Sequence, residues 1–252
     1  MDIALKEKFL TLWKKYFDDA PLPIAFYYTG TPEPALIVKP GSVPRCIIGA
    51  IVKVRDGWSG AFNVDSVGCP GGKRYLGFSD KLSPDFEYFL SCGIPGKLEG
   101  ERYKKTPNMV RDYMKHAPPV PAPAPFIVFK RWDRLEKADS PEVVIFFATP
   151  DVLSGLFTLA VYDESAADAV IAPFGSGCGS IVHYPYQESK SERSRAVIGL
   201  FDVSARPFVP PDVLTFAVPV SKFTRMVENM AGSFLITPSW AKIRKRIKPS
   251  GT

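Results

Sequence analysis

The sequence predicts an α+β protein of two related halves, with mixed or antiparallel sheets covered by helices. Apolar runs rich in β-branched and aromatic residues alternate with segments of helical periodicity. A proline-rich stretch divides the chain near its middle, and similar blocks recur on either side of it. With 252 residues, of which 46% are hydrophobic and 23% charged, the chain can bury one sizeable core or two small ones.

The first half begins with a predicted helix over residues 2–17 and a strand over 23–28, where the run PIAFYY is apolar enough to be buried. A helix follows over 43–54, with a serine before it in a position to cap its first turn. The glycine-rich segment VGCPGG at 67–72 predicts a turn. An amphipathic pattern predicts a helix over 108–114.

Five prolines within residues 116–125 predict an extended, semi-rigid connector. The predicted domains are therefore a first half over 1–117, a connector over 118–125, and a second half with a basic tail over 126–252.

The second half contains a predicted strand over 143–148 and a helix over 151–162. The segment GSGCGS at 175–180 predicts a second glycine-rich turn, and residues 184–194 form an inserted loop. The last predicted helix extends from residue 222 to 247 and breaks at Pro238.

These elements form six pairs of similar blocks in the same order, which predicts an internal duplication. If the halves pack around a pseudo-twofold axis, equivalent loops converge on one cleft. The alternative is that such matches arise by chance in any α+β chain. Besides the strands, helices and turns already described, the pairs are 74–78 with 195–201, 83–90 with 210–217, and 108–114 with 223–230.

The net charge of +6 does not favour nucleic acid, because five positive charges lie after residue 241 and leave a nearly neutral body. These five are Lys242, Arg244, Lys245, Arg246 and Lys248. No apolar run is long enough to span a bilayer, and the N-terminus lacks a cleavage pattern. We therefore expect a cytoplasmic protein that binds a small molecule, with no nucleic-acid or membrane partner. The apolar strands permit a homodimer.

The four cysteines are too few for a disulfide scaffold and lack the spacing of a zinc module. Cys46 lies at a helix start beside Arg45, where the helix dipole favours a thiolate. Cys69 and Cys178 lie in the two glycine-rich turns, whereas Cys92 is expected in the core. Positive φ at the glycines would let the backbone approach a ligand closely. The candidate glycines are Gly68, Gly71, Gly72, Gly175, Gly177 and Gly179.

Cys46, Cys69 and Cys178 could together hold an iron–sulfur cluster or another thiolate-bound metal, provided that they converge. Arg206, held on an extended segment by the proline after it, is a candidate for binding an anionic group. An ion pair with Asp202 is the competing interpretation for this arginine.

Two other function classes remain open. In a thiol-dependent enzyme, Cys69 or Cys178 would be a nucleophile or redox group, activated by His183 or an arginine. In a structural or interaction protein, the cysteines would be buried and the glycines would only form tight turns. His183 is otherwise expected in an exposed loop, and His116 is expected to have no special role.

The order of motifs resembles the DUF169 family of bacterial and archaeal proteins. The motifs are PIAFYY, the helix with Cys46, GCPGG, PEVVIFFATP, GSGC, GLFDVSARP and LTFAVP. The resemblance extends from about Leu22 to Met230 and includes the positions of the three cysteines. It implies no particular activity, because the family is uncharacterised. Its frequent occurrence in anaerobes would suit an oxygen-sensitive cluster or a free-thiol site.

Overall fold

The protein folds around one seven-stranded mixed sheet, as described by a computed structural model of residues 1–247. The strands are β1 Ile24–Thr29, β2 Gly60–Phe62, β3 Phe126–Arg131, β4 Val143–Ala148, β5 Val170–Ile171, β6 Ala196–Gly199 and β7 Leu214–Pro219. Their order is β2-β3-β1-β4-β7-β6-β5. Only β5 and β6 pair in parallel within this sheet. The predicted α+β class is confirmed.

Helices cover both faces of this sheet. They are α1 Ile3–Phe17, α2 Ile47–Val54, α3 Pro70–Tyr75, α4 Phe86–Phe89, α5 Pro107–His116, α6 Pro150–Val161, α7 Tyr184–Ser189, α8 Val220–Asn229 and α9 Pro238–Arg244. A π-helix, Gly179–His183, leads directly into α7. Among the residues described, no helix combines the length and apolar character needed to cross a membrane.

Strand β4 is the clearest case of a sequence that dictates its place in the fold. All six of its residues are buried, because successive side chains point to opposite faces of a sheet that is covered on both. Val143, Ile145 and Phe147 join the core on the first face, and their neighbours in the strand join the core on the second. An uninterrupted apolar run is therefore required here.

The two faces are covered by different helices. Residues of α2, α3 and the π-helix pack into the core of the first face, together with Tyr186 of α7. Residues of α1, α6, α8 and α9 pack into the core of the second face. The two glycine-cysteine segments consequently lie on the first face.

The structure corrects several predicted elements. The expected turn at 67–72 contains the start of α3, and the loop expected at 184–194 begins with α7. The C-terminal helix breaks earlier than expected, over Met230–Gly232 and Phe234–Ile236, which are 3₁₀ turns. Pro238 begins α9 rather than interrupting a helix, because proline is well tolerated in the first turn.

The predicted duplication is not seen in the paired blocks. α2 packs on the first face of the sheet, whereas α6, its supposed counterpart, packs on the second. The block at 83–90 contains α4, but its partner at 210–217 leads into β7. Strand β3, which follows the proline-rich connector, pairs with β1 and β2, which precede it. The division into two halves at the connector remains a prediction.

Part of the basic C-terminal segment is tied to the fold. Nη1 of Arg244 donates a 2.8 Å hydrogen bond to the carbonyl of Lys15 in α1. Nε of Arg246 lies 3.0 Å from Oδ2 of Asp151 in α6. These contacts help to seat α9 on the second face. Lys248 and the rest of the predicted tail lie outside the described residues.

Candidate functional site

Three helix starts meet on the first face, and each carries a cysteine. Cys46 is the N-cap residue of α2, and Cys69 is the N-cap residue of α3. Cys178 lies in the first turn of the helical segment that begins at residue 177 and contains the π-helix. We call Cys46, Cys69 and Cys178 the thiol cluster. π-Helical turns are rare and often occur at functional sites.

Glycines allow these helix starts to approach one another closely. A Cβ added at any of three glycines would touch a side chain of a neighbouring helix, so the missing side chain is what leaves room for the contact. The contacts are Gly72 with Ile47 at 3.5 Å, Gly177 with Ile48 at 3.1 Å, and Gly179 with Tyr75 at 3.3 Å. The start of α2 thus packs against the other two helix starts, and the Cys178 segment also packs against the end of α3.

The left-handed backbone conformation predicted for the candidate glycines was wrong. None of the six candidate glycines has φ in the left-handed region. A Cβ at Gly68 would lie 3.6 Å from the Cα of Arg45, and one at Gly71 would lie 3.8 Å from Sγ of Cys69. The glycines therefore serve close packing of chain segments. Helical conformation is present where turns were expected.

The thiols in the cluster are close enough to influence one another's ionisation. Burial raises the pKa of Cys178 to about 12, and Cys69, Cys46 and Asp202 contribute further to the rise. The pKa of Cys46 is also raised, first by burial and then by Cys69, while the amides of Ile48 and Gly49 oppose the rise. Burial thus outweighs the helix-dipole effect that predicted a thiolate at Cys46. Cys178 is buried, whereas Cys46 and Cys69 are partly exposed.

Two polar side chains that the sequence analysis missed fix the Cys178 segment. Oγ of Ser176 lies 3.3 Å from Sγ of Cys178 and accepts a hydrogen bond from the amide of Gly179 at 3.1 Å. Oδ2 of Asp202 accepts from the amide of Gly177 at 2.9 Å. A serine three residues before a helical amide is a capping pattern, so Ser176 could have been found from the sequence.

The thiol cluster does not have the arrangement of a metal centre. Throughout residues 1–247, no three His, Cys, Asp or Glu side chains are placed to hold a metal ion. The helical segments that carry the three cysteines adjoin, but the predicted ligand set for an iron–sulfur cluster or another metal does not fit.

A second group of polar residues adjoins the thiol cluster through Tyr75, and of these the sequence had pointed only to His183. The pKa of Tyr75 is raised to about 12, chiefly by burial, and Cys178 contributes to this rise. The ring of Tyr75 packs edge-on against His183, with centroids 5.6 Å apart. Arg74 and His183 are both buried, at 6% and 2% exposure. Burial and the charge of Arg74 lower the pKa of His183 to about 4.

The positions of His183 and Cys92 differ from those expected. His183 lies in the π-helix rather than in an exposed loop, and no hydrogen bond joins it to a cysteine within the described part of the chain. It therefore does not activate Cys178 in this arrangement. Cys92 is exposed rather than in the core. His116 ends α5 and its Nδ1 lies 2.8 Å from the carbonyl oxygen of Asp112.

Arg206 contacts the backbone, and its predicted contact with a ligand stays a prediction. Its guanidinium donates hydrogen bonds to the backbone carbonyls of Val213, Pro210 and Pro211. The expected competing ion pair with Asp202 is not among the ion pairs of residues 1–247. Arg206 thus holds the segment that leads into β7.

Residues 17–229 match the family model DUF169, described as Uncharacterised ArCR. The chain belongs to the DUF169 family. The match includes the thiol cluster, Arg74 and His183, so the whole candidate site lies inside the DUF169 region. Comparisons with curated proteins and with solved structures gave no significant match.

Proposed function

We propose that this DUF169 protein binds a small molecule at the thiol cluster. The observation that carries the proposal is the convergence of three helix starts, each with a cysteine, of which Cys46 and Cys69 are partly exposed. Thiols that served only to fill the core would be expected to be buried, as Cys178 is. A ligand would approach from the side of the two accessible thiols.

Helix starts favour electron-rich ligand atoms, because their first amide groups lack partners within the helix. No side chain caps the first turn of α2 or α3. The amides of the Cys178 segment are instead already engaged by Ser176 and Asp202. The open side of the proposed site is therefore formed by Cys46, Cys69 and the first turns of α2 and α3.

A thiol-dependent enzyme is the second candidate, and burial selects Cys69 over Cys178 as its reactive group. A thiol with a pKa of about 12 is almost entirely protonated near neutral pH and is a poor nucleophile. Cys69 is partly exposed and lies at a helix start. Rapid alkylation of Cys69 at pH 7, at least tenfold faster than that of Cys46, would favour the enzyme.

The proposal is tested by comparing the protein purified without oxygen with a triple variant, Cys46→Ser, Cys69→Ser and Cys178→Ser. Cys92→Ser is the matched control, because Cys92 is exposed and lies outside the thiol cluster. Native mass spectrometry would measure bound small molecules, and metal analysis with an absorption spectrum would measure metals. We expect a small molecule to be released on denaturation of the wild type and Cys92→Ser, but not of the triple variant.

A second measurement covers a ligand that is lost during purification. The small-molecule fraction of a cell extract is added before a short treatment with iodoacetamide, and each cysteine is quantified by mass spectrometry. Protection of Cys46 and Cys69, with no change at Cys92, supports the proposal. Equal labelling with and without extract, combined with no bound molecule, would contradict it. Stoichiometric iron lost from the triple variant would instead restore the metal interpretation.

A further inference from the structure

Arg74 is a buried cation without an anionic partner. Its residue exposure is 6%, and Nη1 donates a 2.8 Å hydrogen bond to the backbone carbonyl of Asp80. Within residues 1–247, its Nε is buried without a hydrogen-bond partner. Among the ion pairs of residues 1–247, none involves Arg74. Burying a charge without a counter-charge is strongly unfavourable, so an anion beside Arg74 would stabilise the buried guanidinium.

His183 supplies a second unsatisfied group beside it. The residue is 2% exposed, and its Nε2 is buried without a hydrogen-bond partner. Tyr75, which follows Arg74 in α3, packs edge-on against the His183 ring with centroids 5.6 Å apart, so Arg74 and His183 lie on contacting segments. In the Nε2–H tautomer, a neutral imidazole donates one hydrogen bond and the Nε–H of Arg74 donates another. Two such donors suit the oxygen atoms of one anionic group.

The phenol groups around Arg74 and His183 carry no negative charge that would take the place of a bound anion. Tyr75 lies between His183 and the thiol cluster, and its hydroxyl is neutral because burial raises its pKa to about 12. Tyr113 and Tyr184 share a contact of 3.2 Å between their hydroxyl oxygens, and each lies near the carbonyl of Phe174. Burial raises the pKa of both phenols, so they too are neutral.

We propose that Arg74 and His183 bind a carboxylate or phosphate group, and that the small molecule of the thiol cluster is therefore an organic anion. This inference rests on the proposed function in one respect, which is that a single ligand spans both groups. Tyr75, next to both Cys178 and His183, would line the path between them. The anion would neutralise Arg74 and satisfy the two orphaned nitrogen atoms.

The test uses inorganic phosphate and propionate as separate probes, with sodium chloride at equal ionic strength as the reference. Thermal unfolding and calorimetric titration are measured on the wild type, Arg74→Gln and Arg74→Lys. Arg111→Gln is the matched control, since Arg111 is exposed and already paired with Glu87. We expect saturable stabilisation of the wild type and Arg111→Gln by at least one probe. The Kd should rise about tenfold or more in Arg74→Gln.

Arg74→Lys decides the question if Arg74→Gln fails to fold, because lysine keeps the charge but not the Nε–H donor geometry. Weaker binding by Arg74→Lys supports the proposal, and unchanged binding overturns it. His183→Phe should weaken binding as well, because phenylalanine has no donor at the position of Nε2. An effect no larger than that of sodium chloride for either probe would also overturn the proposal.

The triple cysteine variant separates this inference from the proposed function. If it binds the anion like the wild type and no thiol-dependent molecule is found, the anion site stands and the proposed function fails. If a cysteine-dependent molecule is found but Arg74→Gln retains it with equal affinity, the proposed function stands and the anion site fails.

Discussion

The amide of Gly177 donates a 2.9 Å hydrogen bond to Oδ2 of Asp202, so the start of the Cys178 helix is tied to the loop that follows β6. The other carboxylate oxygen, Oδ1, accepts hydrogen bonds from the amide and the hydroxyl of Ser204. The negative charge of Asp202 also raises the pKa of Cys46 and Cys178. One side chain therefore ties the Cys178 segment to this loop and adds, after burial, to the rise in the pKa of Cys46 and Cys178.

Asp202→Ala should lower the free energy of unfolding by about 1–2 kcal/mol, because two amides lose their acceptor. Urea denaturation measures the change, with Asp65→Ala as a control, since Asp65 is exposed. The same variant should label faster at Cys46 at fixed pH, because the pKa falls. Equal stability and equal labelling in both variants would contradict the role of Asp202.

The four thiols should differ widely in reactivity. At pH 8, a pKa of about 12 gives Cys178 a thiolate fraction roughly a thousandfold smaller than that of a thiol with an ordinary pKa near 9. We expect Cys92 to react first, Cys46 and Cys69 later, and Cys178 only on unfolding. Timed alkylation with mass spectrometry measures this order. Labelling of native Cys178 as fast as that of Cys92 would be inconsistent with the structure.

Stability should fall in mild acid because of His183. The unfolded protein takes up a proton near the ordinary pKa of 6.5, whereas the folded protein does so only near 4. Folding therefore becomes less favourable as the pH falls from about 6.5 to about 4, by up to about 3 kcal/mol. Above this window both states are neutral and the effect vanishes.

His183→Gln should remove this part of the pH dependence, as measured by urea denaturation between pH 7 and pH 4. His116→Gln is the control, because His116 is exposed at the end of α5. Identical pH profiles for the wild type and His183→Gln would show that His183 is not buried as a neutral group.

Gly155→Ala should destabilise the protein even though alanine is the better helix former by about 1 kcal/mol. A Cβ at this position in α6 would lie 2.4 Å from Cη2 of Trp240 and 2.9 Å from Cε1 of Phe17. We expect a net loss of about 1–2 kcal/mol from overpacking. Ser154→Ala, at an exposed neighbouring position, should change stability by less than about 0.5 kcal/mol. A stabilised Gly155→Ala would place α6 farther from α9 than it is here.

Local patterns were sufficient to predict several elements. Strands β1 and β4 follow from uninterrupted apolar runs, and α1, α2 and α6 follow from helical periodicity, whereas the caps predicted for α2 and α6 were wrong. The starts of α3 and α7 were missed because glycine and proline within them were interpreted as turn signals. Pro70 lies in the first turn of α3, where a missing amide hydrogen costs little.

The sequence by itself determined the α+β class, the family and the three cysteines of the candidate site. Only the tertiary structure decided that the glycines serve packing, that Arg206 binds backbone carbonyls, and that Arg74 and His183 are buried on contacting segments. The physical reason is the separation along the sequence between the residues that interact. Strand and helix signals act between residues a few positions apart, whereas Cys46, Cys69 and Cys178 are brought together by helices packing on one face of a shared sheet.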